Sequence, residues 1–200
     1  MNPNVESSIE AKRSESLTGL PARQVPTLRL STYTSGSAAE KAEFTSQLFK
    51  GLKEYGFVIL KDHGVDASLL HKAYSLLEKF YALPEATKRS YISKSGGGQR
   101  GYTPFGQEHA KDADVMDLKE FWHVGREVDD QNPMKAQYYP DNIWPTEVPE
   151  FESVFSRLYA DLENAGQVML EALTGPLEVD KDYFKKMTFE GNSILRLLHY

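Results

Sequence analysis

The sequence predicts an α+β chain, helix-rich through most of its length and carrying a few short strands. Long stretches place apolar residues three or four apart, the spacing of one helix face. Between them, short runs such as Phe57-Val58-Ile59-Leu60 are β-rich and bounded by turn residues. A last run, Ile194-Leu195-Arg196-Leu197-Leu198-His199-Tyr200, ends the sequence in mid-strand with no turn or polar tail. Isolated strands are marginal without partners. The expectation is therefore a truncated protein whose sheet lies mostly downstream.

The elements follow in order. Residues 1–24 are polar, with Ser7, Ser8, Ser14 and Ser16 and no periodicity, and read as a mobile arm. Val25-Pro26-Thr27-Leu28-Arg29-Leu30 alternates and suggests a short strand. Ser37 or a neighbour caps a helix over about 38–55, whose stripe is Phe44, Leu48, Leu52 and Tyr55, with Gly56 placed to end it. Residues 56–65 read as a buried strand closed by a turn at Asp62, His63 and Gly64. Asp66 or Ser68 caps the next helix, to about 83, and Pro84 opens a shorter one to about 91. A glycine-rich loop spans 93–107, and a strand follows over 118–124. Residues 131–149 are proline-rich and irregular. Pro149 then opens the longest helical pattern, to about 173, and a short helix near 181–187 precedes the final strand.

Two hundred residues can bury a substantial core, and 40% hydrophobic with 26% charged residues is the composition of a soluble globular protein. A net charge of −6 without a basic stripe argues against nucleic-acid or anionic-membrane partners. There is no cysteine, hence no disulfide framework, thiolate nucleophile or Cys-ligated zinc, which suits a reducing cytoplasm.

Few residues point to chemistry by themselves. Gly96-Gly97-Gly98 with Gly101 invites a phosphate-loop reading. A phosphate loop needs Gly-Lys-Ser/Thr opening a helix, whereas Arg100-Gly101-Tyr102-Thr103-Pro104 follows here. A surface loop is favoured, one that could carry Arg100 and Tyr102 over a substrate. A non-haem iron site wants two histidines and a carboxylate on one face. No His-x-Asp or His-x-Glu occurs among His63, His71, His109, His123 and His199. His109 with Asp112, or His123 with Glu127 if helical, would share a face but read as surface contacts, and His63 reads as a turn residue. Along the strand, Phe121 and His123 face one way and Trp122 the other, with Trp122 as core. Asp112, Asp114 and Asp117 read as a solvated acidic loop.

Several segments resemble, in order, the N-terminal region of isopenicillin N synthase-like Fe(II)/2-oxoglutarate-dependent oxygenases. Gly56-Phe57-Val58-Ile59-Leu60-Lys61-Asp62-His63-Gly64-Val65 is similar to the family's "GFF-x-x-x-NHG-V/I". The strand at 25–30 resembles "IP-x-I-D-L", with Arg29 in place of the acidic residue. Phe80-Tyr81-Ala82-Leu83-Pro84 with Lys88 is similar to "FF-x-LP-x-E-x-K", Gly101-Tyr102 to "GY", and Asp117-Leu118-Lys119-Glu120-Phe121 to "D-x-KE-x-(F/Y)". Arg196 to Tyr200 resembles "R-x-N-Y-Y-P", with Leu198 where plant members place asparagine.

This resemblance implies a double-stranded β-helix (jelly-roll) core preceded by a helix-rich N-terminal region. The chain then divides into an arm (1–24), the N-terminal dioxygenase-type region (25–130), and a loop, long helix and first part of the core (131–200). It implies Fe(II), 2-oxoglutarate and O2, with a small organic molecule oxidised as succinate and CO2 are released. Tyr200 falls on the tyrosine that contacts 2-oxoglutarate, or the substrate in the synthase itself, while Arg100, Tyr102 and Phe121 are candidate substrate contacts by loop position. The metal ligands are expected beyond Tyr200, and the oligomeric state is left open. An oxidase using Fe(II) and O2 without 2-oxoglutarate is the enzyme alternative; a non-catalytic helical interaction domain is the other.

Overall fold

The structure, a computed structural model, describes residues 24–94, 98–108 and 116–200. The predicted arm (apart from Gln24) lies outside the described residues, as do Gly96, Gly97, His109, Asp112 and Asp114. The described chain runs β1 (Thr27–Arg29), α1 (Leu30–Ser35), α2 (Ala38–Tyr55), β2 (Ile59–Lys61), α3 (Ala67–Tyr81), α4 (Glu85–Arg89) and β3 (Gly101–Thr103). It continues through β4 (Glu120–Gly125), α5 (Lys135–Tyr138), α6 (Phe151–Leu173), α7 (Tyr183–Thr188) and β5 (Ile194–His199).

Local chemistry fixes the helix ends. At α2 the Ser37 hydroxyl accepts from the Glu40 N–H, and the Glu40 carboxylate accepts from the Ser37 N–H at 2.7 Å, a reciprocal cap. Gly56 closes that helix, its N–H reaching the Leu52 carbonyl. Asp66 caps α3 by accepting from the Ser68 N–H at 2.7 Å. The long helix begins at Phe151 rather than Pro149, because Glu150 takes a left-handed conformation, φ 68°, and delays entry.

Two sheets form. β1 and β2 pair in parallel, Leu28 opposite Leu60. β3, β4 and β5 are antiparallel in that spatial order, with Tyr102 opposite Trp122 and Trp122 opposite Leu197. The expectation of a buried strand at 56–65 needs correction. Phe57 is 58% and Ile59 49% exposed, because among the described residues β2 pairs with β1 alone and one side of it is covered. On that side the buried Gly51 of α2 lets Val58 and Pro26 approach, since a Cβ there would lie 2.7 Å from Val58 Cγ1. Two elements lacked a readable period. α1 is six residues long, held by the buried Leu30 and by Tyr33 packing on Phe44, ring centres 5.7 Å apart. β3 is three residues inside what reads as a surface loop, yet Arg100, Gly101, Tyr102 and Pro104 are all buried.

The apolar interior has two parts joined by α6. Val154, Phe155 and Leu158 pack into one with Phe80, Tyr102, Trp122 and Leu197; Ala165 and Ala172 pack into the other with Leu28, Phe44 and Leu48. Phe80 sits at the centre of the first, edge-on to Trp122 at 4.8 Å and in ring contact with Tyr81, Tyr91, Tyr102 and Phe151. Among the described residues no helix is long and apolar enough to cross a membrane. Replacing Phe80 by alanine should lower unfolding free energy by about 3–5 kcal/mol. Ser37→Ala should cost only about 1 kcal/mol. Chemical denaturation of the two variants checks the ranking.

Candidate functional site

β4 separates two chemistries because successive side chains point to opposite sides. All six of its residues are buried. Glu120, Trp122 and Val124 face the helices, joined across the ladder by His199, Leu197 and Leu195. Phe121, His123 and Gly125 face the other way, beside Leu198, Arg196 and Ile194.

On the helix side a buried carboxylate collects donors from three elements. Glu120 accepts from Lys88 Nζ of α4 at 2.7 Å, from the Tyr102 hydroxyl of β3, and from His199 Nδ1 of β5 at 2.9 Å. Glu85 adds a second carboxylate 3.3 Å from Lys88. The Tyr81 ring of α3 stacks on His199 at 4.7 Å while its hydroxyl donates to the Leu197 carbonyl at 2.6 Å. Burying an unpaired charge costs several kcal/mol, so both members of the Lys88–Glu120 pair need these partners. Burial pushes the Glu120 carboxyl up, but hydrogen bonds from Lys88, Tyr102 and His199 outweigh it and hold it below its ordinary value. Burial and Glu120 together push the Tyr81 and Tyr102 hydroxyls well up, so both remain protonated donors.

The opposite side is a cationic and aromatic wall. Arg196 lies over the Phe121 ring at 4.4 Å, donates from Nε to His123 Nε2 at 2.7 Å, and forks its terminal nitrogens onto Glu108 at 3.2 and 3.4 Å. His123 Nδ1 meets the Gly98 carbonyl at 2.9 Å. Burial, followed by neighbouring guanidinium charge, moves the His123 pKa down. Arg100 is fully buried on this side, its guanidinium filling the space that a Gly125 side chain would need, with a Cβ only 1.9 Å from Arg100 Cζ. It donates to the Gln99 and Arg126 carbonyls, while Nε has no partner among the described residues. Asn142 clamps Gly125, accepting from its N–H at 2.8 Å and donating to its carbonyl at 2.9 Å.

The residues singled out from sequence are thus divided. Arg100 and Phe121 share the outer side. Tyr102 is on the helix side because it pairs with Trp122, and its hydroxyl is committed to Glu120. Tyr200 follows β5, is 81% exposed, and borders an open cavity of about 530 Å³ with Tyr74, Leu77, Tyr81 and His199. His63 is a turn residue, accepting from the Val65 N–H at 3.2 Å. His123 and Glu127 do not share a helical face, because His123 is in a strand. No group of three or more His, Asp or Glu residues able to hold a metal occurs among the described residues. Sequence reasoning assigned no role to Lys88, Glu120, His123, Arg196 or His199. The available signal was charge inside apolar strands, Glu120 beside Phe121-Trp122 and Arg196 among leucines.

Residues 25–147 match the family model described as non-haem dioxygenase in morphine synthesis, N-terminal. A 2-oxoglutarate-Fe(II) type oxidoreductase, ppzD, of Metarhizium rileyi is 28% identical over 194 residues, covering 90% of this chain and 53% of the relative. The 1-aminocyclopropane-1-carboxylate oxidase of Dictyostelium mucoroides is 29% identical over 185 residues, covering 88% and 49%. The crystal structure of a 2OG-Fe(II) oxygenase family protein from Caulobacter crescentus superposes with a TM-score of 0.77 at 40% identity, covering 88% of this chain and 56% of that one. The chain spans about half the length of the curated relatives it matches.

Because the Glu120 pKa is lowered on folding, its contribution is present above its unfolded value of about 4.5 and is lost as pH falls through the lower folded value. Stability should therefore decline with acid below about pH 4.5, and Glu120→Gln should lower stability at neutral pH while flattening that decline. Thermal melts across pH read both effects. Gly125→Ala should displace Arg100 and cost about 1–3 kcal/mol by overpacking, measured by denaturant titration.

Proposed function

Because the chain belongs to the non-haem dioxygenase family, in the N-terminal region its model describes, we propose that the protein is an Fe(II)- and 2-oxoglutarate-dependent oxygenase. It would oxidise a small organic molecule with O2, by hydroxylation or a related reaction, and release succinate and CO2 in the cytoplasm. The observation that carries this reading is the family match over residues 25–147, within which Tyr81, Lys88, Tyr102 and Glu120, scattered in sequence, meet at one sheet.

The described residues do not fit an iron ion, since they bring no ligand set together. Its ligands then lie outside the described residues, as expected from the sequence beyond Tyr200. In this reading β3, β4 and β5 begin the jelly-roll core, and their outer side becomes a wall of the reaction chamber. Phe121 gives that wall an apolar surface that excludes water, and Tyr200 contacts 2-oxoglutarate. Arg100 stands behind the wall, where its charge favours an anionic substrate group, and Tyr102 supports the wall through Glu120. The second reading, an oxidase that does not use 2-oxoglutarate, is favoured by the relative named an oxidase at 29% identity.

Incubating the complete protein with Fe(II), 2-oxoglutarate and candidate substrates under O2 decides between them. Succinate should form in proportion to product. Product without succinate would support the oxidase reading. Tyr200→Ala should raise the KM for 2-oxoglutarate about tenfold, the equivalent of one hydrogen bond. Residues 1–200 alone should not bind Fe(II) stoichiometrically, which calorimetric titration checks.

A further inference from the structure

A histidine on an apolar strand is ordinarily a packed core residue. His123 is buried, yet both of its ring nitrogens are committed, and to separate parts of the chain. Arg196 Nε can only donate, so His123 Nε2 must offer its lone pair across the 2.7 Å contact. The proton then sits on Nδ1 and is donated to the Gly98 carbonyl at 2.9 Å, which can only accept. Only the neutral ring makes both bonds. A proton on Nε2 would set two donors and two cations against each other, so charging His123 and bonding it to Arg196 exclude one another.

What the ring joins is specific. Gly98 lies in the glycine-rich loop, two residues before Arg100, and Arg196 is the guanidinium laid over Phe121. We propose that His123 is a positioning residue, which sets the segment from Gly98 to Thr103 and the Arg196–Phe121 wall as one unit and releases both when it is protonated. This rests on the oxygenase reading for its effect on turnover. The groups facing the ring are Arg196 from β5, Arg100 from the loop before β3, and Glu108 from the segment after β3, itself 3.3 Å from Lys119. The two guanidinium groups and burial disfavour the charged ring, and Glu108 opposes them. Below the unfolded histidine value of about 6.5, protonation therefore favours the released arrangement.

The test uses the complete protein. Nitrogen-15 spectra of labelled histidine should show His123 as the neutral Nδ1–H tautomer at about pH 7.5. Its protonation should coincide with faster hydrogen exchange across residues 98–103, corrected for intrinsic rates. His123→Gln supplies one donor and one acceptor but does not titrate. Its exchange should be the same at about pH 7.5 and about pH 5.5, and its substrate KM should stay near that of the parent. His123→Phe keeps a ring and loses both bonds. Its loop should exchange rapidly at both pH values, and its substrate KM should rise about tenfold with kcat little changed. An Nε2–H tautomer in the parent protein, or loop exchange indifferent to both pH and His123→Phe, overturns the proposal. Absence of any turnover would count against the oxygenase reading alone, with the spectra and exchange still deciding the role of His123.

Discussion

The buried charge on Glu120 is the constraint around which the rest is arranged. A carboxylate at the start of a central strand is tolerable only if donors reach it, and the donors come from β3, α4 and β5. Satisfying Glu120 thereby fixes where the α3–α4 corner meets the sheet. Tyr81 closes the arrangement, stacking on His199 and holding the Leu197 carbonyl. The strand that ends beside Tyr200 is thus positioned from the helix side by hydrogen bonds as well as by packing.

That anchoring leaves the other side of β4 free for different chemistry. Glu120, Trp122 and Val124 tie the sheet to the aromatic interior, while Phe121, His123 and Gly125 present a surface shaped by Arg196 and Arg100. A single pleated strand can serve both purposes because its alternation is obligatory. The similarity to 2OG-Fe(II) oxygenases fits this division.

Much of the fold was legible because it is local. The Ser37 cap, the Asp66 cap and the stripe of α2 are each set within a few residues, and helix chemistry acts at that range. The β1–β2 pair was misjudged because burial depends on what covers a strand, and Ile59 faces outward. The side on which Tyr102 falls was not readable, since it follows from the pairing of Tyr102 with Trp122 twenty residues later. The contacts of the site are more distant still: Lys88 with Glu120, Arg196 with His123, Tyr81 with Leu197. Family resemblance marked several of these residues without saying what they do.

A double-mutant cycle between Lys88 and Glu120 tests the central claim most directly. Chemical denaturation of Lys88→Met, Glu120→Gln and the double variant gives the coupling between the two sites. Each single change should strand the other partner, at a cost of about 3–5 kcal/mol. The double variant should cost markedly less than the sum, a coupling at the upper end of about 0.5–3 kcal/mol. Additive losses would contradict the account, because they would mean that Lys88 and Glu120 stabilise the protein independently and that no shared network holds the helices to the sheet.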